Sequence, residues 1–409
     1  MRKNAIFMVI YEIAVYLVPF ITAPYIARVL GTYGTGVYSY TYSIVSYFVV
    51  LTQLGVNLYG RREIASCLTK EQRSKTFWCI WYIETIMFIV SMLFYVCFVV
   101  LNKSDMKIAF CIQIFTIIGA WLDISWMYFG VEDFKIAVSR NVLVKILSLL
   151  AVFTFVRNSD DTNLYVFIMA FSNFASVIVM WITIKKHIFF VKITRRDMSP
   201  HVVPMFKMFI PVLSTQLFSM TDKVFLGTMS SVDSVGIYEN AYKISRVPVA
   251  FITTIGTVML PRMTKLIAEG KEEESKGYFE KSLSLTVAIG VGCSFGLIGI
   301  ANVFIPLYLG TAFKESAVIL QLLALVLIAI AWGNAFRTQF ILPKKMDNLY
   351  LKSVLYAAVI NIVLNAILIP GWSAIGAAIA SIIAEFLICI YQSIKIRKFF
   401  RFKELFFSY

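Results

Sequence analysis

Long apolar stretches constrain this chain more than any other feature of its sequence. Of its 409 residues, 59% are hydrophobic, whereas soluble domains are roughly half apolar. An apolar run of about 20 residues can cross the hydrocarbon core of a bilayer as a helix, and the sequence contains twelve such runs. We therefore predict an all-α, polytopic membrane protein. The runs cover approximately residues 7–29, 36–59, 77–101, 108–129, 137–156, 164–184, 208–229, 235–260, 282–303, 316–336, 353–370 and 372–394.

The basic residues are distributed unevenly between the two sides of the membrane. If the N-terminus is inside, the inner connections and the termini hold 29 of the 38 Lys and Arg residues, and the outer connections hold four. Because basic residues favour the cytoplasmic side, both termini are predicted to be cytoplasmic. The net charge of +15 then reflects topology, and no nucleic acid partner is expected.

The connections between the runs leave no room for a catalytic domain, since none exceeds about 23 residues. The two histidines, His187 and His201, lie in one inner connection, so an intramembrane histidine relay or metal cluster is not predicted. The sequence also lacks a phosphate-binding G-x-x-x-x-G-K-[ST] loop. We therefore expect neither an enzyme nor an ATP-driven pump, and no cofactor or metal.

A faint internal repeat divides the chain into two halves. Six runs separate its two copies, an even number, so both halves are predicted to have the same orientation in the membrane. Parallel repeats of this kind are a transporter architecture, and they predict six-helix bundles over residues 1–206 and 207–409. Chance similarity in a sequence of limited composition is the alternative. The blocks Leu30-Gly31-Thr32, Gly36-Val37-Tyr38 and Tyr42-Ser43-Ile44 recur as Leu226-Gly227-Thr228, Gly236-Ile237-Tyr238 and Tyr242-Lys243-Ile244.

Five basic residues lie inside or at the ends of apolar runs instead of in connections. A cation in hydrocarbon costs about 2.5–3.5 kcal/mol even on the lower scales, so such residues usually line a polar cavity. No repeat or motif supports Lys145, and the other four are predicted to form a cationic, anion-binding cavity. The five are Arg28, Lys145, Lys223, Lys243 and Arg246.

The eighth run carries a charged stripe, because Glu239, Tyr242, Lys243 and Arg246 are spaced to share one helical face. An ion pair of Lys243 with Asp222 or Glu239 would neutralise part of its charge, which is the structural alternative. Since bases outnumber acids in this run, we favour a residual positive cavity.

Embedded acids are candidates for coupling to a Na⁺ or H⁺ gradient or for internal ion pairs; they are Asp222, Glu239, Glu12, Asp123 and Glu385. Glu84 is a further isolated acid in an apolar run, and Asn361 and Asn365 form a polar face that is expected to join the eleventh run to a neighbour. Tyr38, Tyr42 and Tyr242 are candidate sugar contacts. Anchoring at the membrane interface is the alternative for such tyrosines.

Two segments carry a resemblance to a known family: PYIARVLGTYGTGVYSYTYSIVSYFVVLTQLGVNLYGRREIA, Pro24 to Ala65, and DKVFLGTMSSVDSVGIYENAYKISRVPVAFITTIGTVMLPRM, Asp222 to Met263. They resemble the polysaccharide-exporter branch of the multidrug/oligosaccharidyl-lipid/polysaccharide superfamily, in particular the Wzx-type flippases of O-antigen and capsule repeat units. The number of runs and their division into halves agree with that family over nearly the whole chain.

The resemblance implies a MATE-like, V-shaped pair of bundles in a bacterial cytoplasmic (inner) membrane. It also implies that undecaprenyl-pyrophosphate-linked oligosaccharide crosses the bilayer by alternating access and that polysaccharide polymerase machinery is a partner. By position in the two motifs, Arg28, Lys223, Lys243 and Arg246 would receive the anionic head group.

Two other functions remain as alternatives to a flippase. A MATE-like drug or cation antiporter would need an acidic, apolar cavity, which the basic surplus of the eighth run disfavours. A membrane polysaccharide polymerase or glycosyltransferase would need a large catalytic connection, which the sequence lacks.

Overall fold

A computed structural model describes the backbone of residues 2–397 and the side chains of residues 20–133 and 139–397. Every regular element in that part of the chain is helical, as the sequence predicts. Short 3₁₀ turns lie at Ser159–Asp161, Ile184–Lys186 and Thr311–Phe313, and a π-helical turn lies at Arg337–Ile341. The α-helices are α1 (Arg2–Gln53), α2 (Val56–Ser66), α3 (Lys70–Leu101), α4 (Lys107–Ile112), α5 (Ile114–Leu122), α6 (Ser125–Gly130), α7 (Phe134–Phe155), α8 (Thr162–Thr183), α9 (Arg195–Met229), α10 (Val232–Ala268), α11 (Glu272–Leu309), α12 (Ser316–Phe336) and α13 (Asp347–Ile396).

In the part of the chain with described side chains, nine helical segments are long and apolar enough to span a membrane. Two of the longest helices are interrupted by a residue with non-helical backbone angles. In α1 this residue is Gly31 (φ 67°), and in α13 it is Ser373 (φ 48°). A left-handed φ suits glycine because it has no Cβ. Each of these helices contains two predicted runs, and the total of twelve spans stays a prediction.

The fourth predicted run is a broken helix in the structure. α5 ends at Leu122 and α6 begins at Ser125. The break exposes backbone groups that need partners inside a membrane. Trp181 Nε1 donates to the Leu122 carbonyl oxygen at 2.8 Å, and the Asp123 carboxylate accepts from the Ser125 amide at 2.9 Å. These backbone groups at the break therefore have partners, and the break places the carboxylate of Asp123 within the predicted span.

The chain divides into two compact units, unit 1 (Met1–Met220) and unit 2 (Thr221–Tyr409). In unit 1, α1 packs against α3, α5, α7 and α8. In unit 2, α12 lies between α10, α11 and α13, and its buried face is almost entirely apolar. α9 runs through the point of division, and the predicted boundary between residues 206 and 207 stays a prediction.

Gly55 fixes the start of α2 and offers a test of the packing in unit 1. Its φ of 73° is left-handed, and an added Cβ would lie 2.8 Å from the backbone of Met208 and Phe209. We expect Gly55→Ala to destabilise the protein by about 1–3 kcal/mol, measured as a lower melting temperature in detergent. Gly277→Ala is the control, because that site is within α11 and has nothing within 4 Å; it should be neutral or slightly stabilising. Equal melting of the two variants would contradict the packing described.

Candidate functional site

Glu239 on α10 joins two lysines at the centre of unit 2. Its Oε2 lies 3.0 Å from Lys223 Nζ, and its Oε1 lies 3.3 Å from Lys243 Nζ. The side chain of Lys243 is 40% exposed, whereas that of Lys223 is only 6% exposed. Lys223 is therefore the internal counter-ion of Glu239, and Lys243 presents its charge outward. Of the two pairs considered for Lys243, the structure contains the one with Glu239.

Arg246 lies one helical turn beyond Lys243 and stacks on an aromatic face. Its guanidinium carbon is 4.6 Å from the ring centroid of Tyr242, and that ring stacks on Tyr238 with centroids 6.1 Å apart. Glu385 on α13 is 3.9 Å from the guanidinium, a loose ion pair. Stacking on the ring fixes the position of the charge, while the long distance to Glu385 leaves the guanidinium able to bind another anion.

Asp222 at the end of α9 is held by hydrogen bonds, not by a cation. Its Oδ1 accepts from the amides of Asn361 and Asn365 at 3.1 and 2.6 Å. Its Oδ2 accepts from the hydroxyls of Tyr238, at 2.6 Å, and Ser381. No Lys or Arg nitrogen in the part of the chain with described side chains lies within ion-pair distance of it. The prediction that the two asparagines join their helix to a neighbour is confirmed, and the neighbour is α9.

Arg337 is a further cation of unit 2 that the sequence prediction assigned to an inner connection. It opens the π-helical turn that follows α12, and π-turns occur often at functional sites. Its guanidinium donates to Asn334 Oδ1 and to the Tyr350 hydroxyl, each at 3.3 Å. The charge of Glu385 interacts with both Arg246 and Arg337. The signal in the sequence was the largely apolar segment AFRTQFIL around Arg337, which continues the predicted run of residues 316–336.

The candidate site in unit 2 therefore holds four cations and three carboxylates on four neighbouring helical elements. The cations are Lys223, Lys243, Arg246 and Arg337, and the carboxylates are Asp222, Glu239 and Glu385. The three carboxylates are engaged by partners from inside the unit. The partly exposed cations are Lys243, Arg246 and Arg337, and Tyr242 lies beside the first two.

Unit 1 contains the matching half of the repeat without the charges. Tyr38 and Tyr42 stack with centroids 5.8 Å apart and an angle of 20°, close to the 21° of the Tyr238 and Tyr242 pair. The positions that correspond to Glu239, Lys243 and Arg246 are serines, and two of them bond to their own helix. The repeat thus preserves the tyrosine pair and concentrates the charge in unit 2. The three serines are Ser39, Ser43 and Ser46.

The other predicted residues of unit 1 lie apart from one another. Arg28 is exposed on α1, three residues before the break at Gly31. Asp123 Oδ1 is 3.9 Å from Arg140 NH1, and Arg140, which the sequence prediction treated as a basic residue of a connection, is 6% exposed. Glu12 lies outside the described side chains. In unit 1 the structure therefore provides an ion-pair partner for Asp123 but no cationic cluster like that of unit 2 among the described side chains.

A family model described as "Polysaccharide biosynthesis protein" matches residues 1–267. Among curated proteins, the chain is 22% identical over 395 residues to a putative O-antigen transporter of Escherichia coli (strain K12), covering 95% of this chain and 94% of that protein. It is 25% identical over 323 residues to the capsular polysaccharide biosynthesis protein CapF of Staphylococcus aureus, covering 74% and 78% of the two chains.

Two solved structures share the fold at low sequence identity. A multidrug resistance MATE family transporter of the MOP superfamily, in an inward-facing conformation, aligns with a TM-score of 0.70 at 14% identity, over 94% of this chain and 98% of that chain. The lipid II flippase MurJ, in an inward closed conformation, aligns with a TM-score of 0.69 at 15% identity, over 94% and 88%. The helical fold is therefore one that membrane transporters use.

Proposed function

The chain belongs to the polysaccharide biosynthesis protein family, and on that premise we propose that it is a flippase for lipid-linked oligosaccharides. Its substrate would be an undecaprenyl-pyrophosphate-linked repeat unit for O-antigen, capsule or exopolysaccharide, moved across the membrane by alternating access. Relatives that are named O-antigen transporter and glycan flippase support a transporter over an enzyme. The observation that carries the proposal is the partly exposed pair of cations, Lys243 and Arg246, beside Tyr242 in unit 2.

The chemistry of the site suits a pyrophosphate attached to sugars. Arg binds phosphate oxygens through two parallel N–H donors, and Lys contributes a compact charge. Tyr242 offers an aromatic face next to Arg246, against which a sugar ring can pack. Inside a membrane protein the effective dielectric is low, so these charges attract a dianion more strongly than they would in water. Binding and release of the head group then require no covalent step.

The predicted coupling acids contribute differently to this proposal. Asp222 is the acid whose surroundings are richest in hydroxyl and amide groups, with Asn361, Asn365 and Ser381 around it. We propose it as the coupling candidate of unit 2 for a Na⁺ or H⁺ gradient, because oxygen-bearing side chains around a buried carboxylate suit either ion. Glu239 and Glu385 serve first as counter-ions of the basic residues. Transport that is indifferent to both gradients would contradict coupling.

The location of the protein in the cell is also a proposal. The candidate spans make it a multi-span membrane protein, and its similarity to a bacterial O-antigen transporter supports the inner membrane. Cytoplasmic termini and contact with a polysaccharide polymerase remain proposals. Cysteine labelling from each side of the membrane would test the orientation.

A MATE-like antiporter of drugs or cations is the second candidate, supported by the shared fold. A transporter of cations would be expected to present unpaired acids to its ligand. In unit 2 Glu239 and Glu385 are paired with basic residues and Asp222 is buried, whereas the partly exposed charges of Lys243 and Arg246 are positive. The geometry therefore favours an anionic substrate.

Reconstitution in proteoliposomes tests the proposed function directly. Vesicles are loaded with a short-chain polyprenyl pyrophosphate that carries a fluorescent oligosaccharide, and a soluble glycosidase outside reports how much head group crosses. We expect protein-dependent exposure of substrate beyond the outer-leaflet fraction. Transport of a fluorescent drug cation without head-group exposure would favour the antiporter instead.

A further inference from the structure

Glu84 on α3 is a buried acid at the core of unit 1. Glu84 is 0% exposed, and neither of its carboxylate oxygens has a hydrogen-bond partner among the described residues. Phe77, Ile80 and Ile83 on the same helix belong to the buried apolar cluster of this unit. An ionised carboxylate in such surroundings, with no donor and no cation, carries a large desolvation cost.

The polar groups of Thr85 and Trp121 form hydrogen bonds with partners other than Glu84. Trp121 Nε1 donates to the Thr85 hydroxyl at 2.9 Å, and that hydroxyl donates to the Trp81 carbonyl oxygen at 2.8 Å. The rings of Trp81 and Trp121 stack with centroids 5.6 Å apart, and Phe88 lies 4.4 Å from Trp121. The helix face around Glu84 is therefore an aromatic wall in which the hydrogen bonds of Thr85 and Trp121 are made, and the buried indole N–H of Trp81 has no partner among the described residues.

The one charged group that acts on Glu84 among the described residues is Asp123, which has the same sign. Asp123 is itself paired with Arg140, at 3.9 Å. Asp123 and Arg140 balance each other, so a second negative charge on Glu84 would be uncompensated. Burial away from water and a like charge in the surroundings both favour the protonated form of a carboxyl group.

The segments that pack on α3 place no basic group within hydrogen-bond distance of Glu84 in the described part of the chain. On α2, Arg62 pairs with Glu63 at 3.2 Å and Arg61 lies over the Phe129 ring at 4.5 Å. The described part of α1 carries Arg28, and α4 carries Lys107; neither is a hydrogen-bond partner of Glu84. α5 contains no titratable residue.

We propose that Glu84 is a proton-binding site of unit 1, occupied by a proton in the conformation described here. Proton release breaks the carboxyl O–H bond, leaves the electron pair on the carboxylate and passes the proton to water. Because Glu84 is 0% exposed, water can reach it only if helices that pack on α3 separate. Protonation would therefore favour the closed packing of this unit, and proton loss would favour its opening. The site is distinct from the basic cluster of unit 2 and does not depend on the identity of the substrate.

Infrared spectroscopy of the full-length protein in lipid nanodiscs tests the assignment without any transport assay. At neutral pH we expect a carbonyl band of a protonated carboxylic acid that shifts on exchange into D₂O. It should be lost in Glu84→Gln and kept in Glu71→Gln, since Glu71 is an exposed acid in the first turn of the same helix. Identical spectra for wild type and Glu84→Gln would overturn the proposal.

Two further measurements distinguish a proton site from a charged glutamate and from a sodium site. Glutamine is the neutral mimic of a protonated glutamate, so Glu84→Gln should melt within a few degrees of wild type at neutral pH; strong destabilisation would mean that a charged Glu84 is required. Addition of NaCl at constant pH should leave the carboxyl band unchanged. Loss of the band under these conditions would assign the site to Na⁺ and overturn the proton assignment.

A pH gradient across proteoliposomes links the site to transport. We expect the response of head-group translocation to the gradient to be lost in Glu84→Gln and kept in Glu71→Gln. A response that persists in Glu84→Gln would contradict a coupling role. If wild type moves no lipid-linked oligosaccharide at all, the proposed function is wrong. The infrared measurement on Glu84 still tests the proton site, because it does not depend on transport.

Discussion

Replacing Arg246 by alanine is expected to lower head-group translocation by roughly 10- to 100-fold and to abolish surface polysaccharide in cells. A hydrogen bond to a charged group contributes about 1.5–3 kcal/mol, and each 1.4 kcal/mol corresponds to about tenfold in affinity. The guanidinium is only loosely paired with Glu385, at 3.9 Å, so its main loss on truncation would be the bond to the substrate phosphate. The readouts are polysaccharide on the cell surface and glycosidase access in vesicles.

Three companion variants show whether the effect depends on charge and on the shape of the side chain. Arg246→Lys retains the charge but loses the planar fork and much of the stacking on Tyr242, so we expect partial activity. Lys243→Ala should also abolish surface polysaccharide. Among Lys223, Lys243 and Arg246, the side chain of Lys243 is the most exposed, so its charge is the most accessible to an anionic ligand. Arg28→Ala tests the first motif in the same way.

The control for charge removal is Lys314→Ala, at an exposed position in the short connection after α11. It should leave transport and membrane levels unchanged. Normal polysaccharide in the alanine variants of Arg28, Lys243 and Arg246 together would refute the cationic site. Loss of polysaccharide that only follows loss of protein from the membrane would show that the charges serve folding instead.

Much of the fold was predictable because a bilayer imposes simple rules on sequence. Uninterrupted apolar runs must be helical, since backbone groups have no other partners in hydrocarbon. The helical period then places Glu239, Lys243 and Arg246 on one face of α10, as the structure shows with the Glu239 to Lys243 ion pair. These inferences need only distances along one helix, which the sequence contains.

Contacts between helices were harder to predict, because spacing along the chain does not encode them. Asp222 receives donors from α10 and α13, more than 100 residues away in the case of Asn361 and Ser381. Arg140 and Arg337 were assigned to connections because most basic residues lie there. In the structure Arg140 is buried beside Asp123, and Arg337 is half-buried and bonded to Asn334 and Tyr350. A cation at the edge of an apolar run is therefore ambiguous until its partner helix is known.

The two units have retained the same aromatic pair while their polar chemistry has diverged. In unit 2 the face next to Tyr238 and Tyr242 carries ionic side chains, whereas in unit 1 the face next to Tyr38 and Tyr42 carries serines that bond to their own helix. An asymmetric charge distribution suits a substrate with one anionic end and one neutral end. We expect the pyrophosphate of the proposed substrate to contact unit 2.

The buried ion pair of Lys223 and Glu239 should be the most sensitive point for stability in unit 2. Removing one partner of a buried pair typically costs about 3–5 kcal/mol, because the other charge is left buried without compensation. Glu239→Gln leaves Lys223, whose side chain is 6% exposed, next to Lys243 of the same sign. We expect a loss within that range. Lys223→Met should cost less, since Glu239 retains Lys243 at 3.3 Å.

The double variant Lys223→Met/Glu239→Gln distinguishes an ion pair from two independent packing defects. Because neither charge is then buried, its stability should exceed that of Glu239→Gln alone, with a coupling energy of at least about 1 kcal/mol. Lys75→Met, in the exposed pair of Lys75 with Asp197, is the control and should change the melting temperature little. Unfolding of the purified protein in detergent measures all four variants. Strictly additive losses would mean that Lys223 and Glu239 do not stabilise each other.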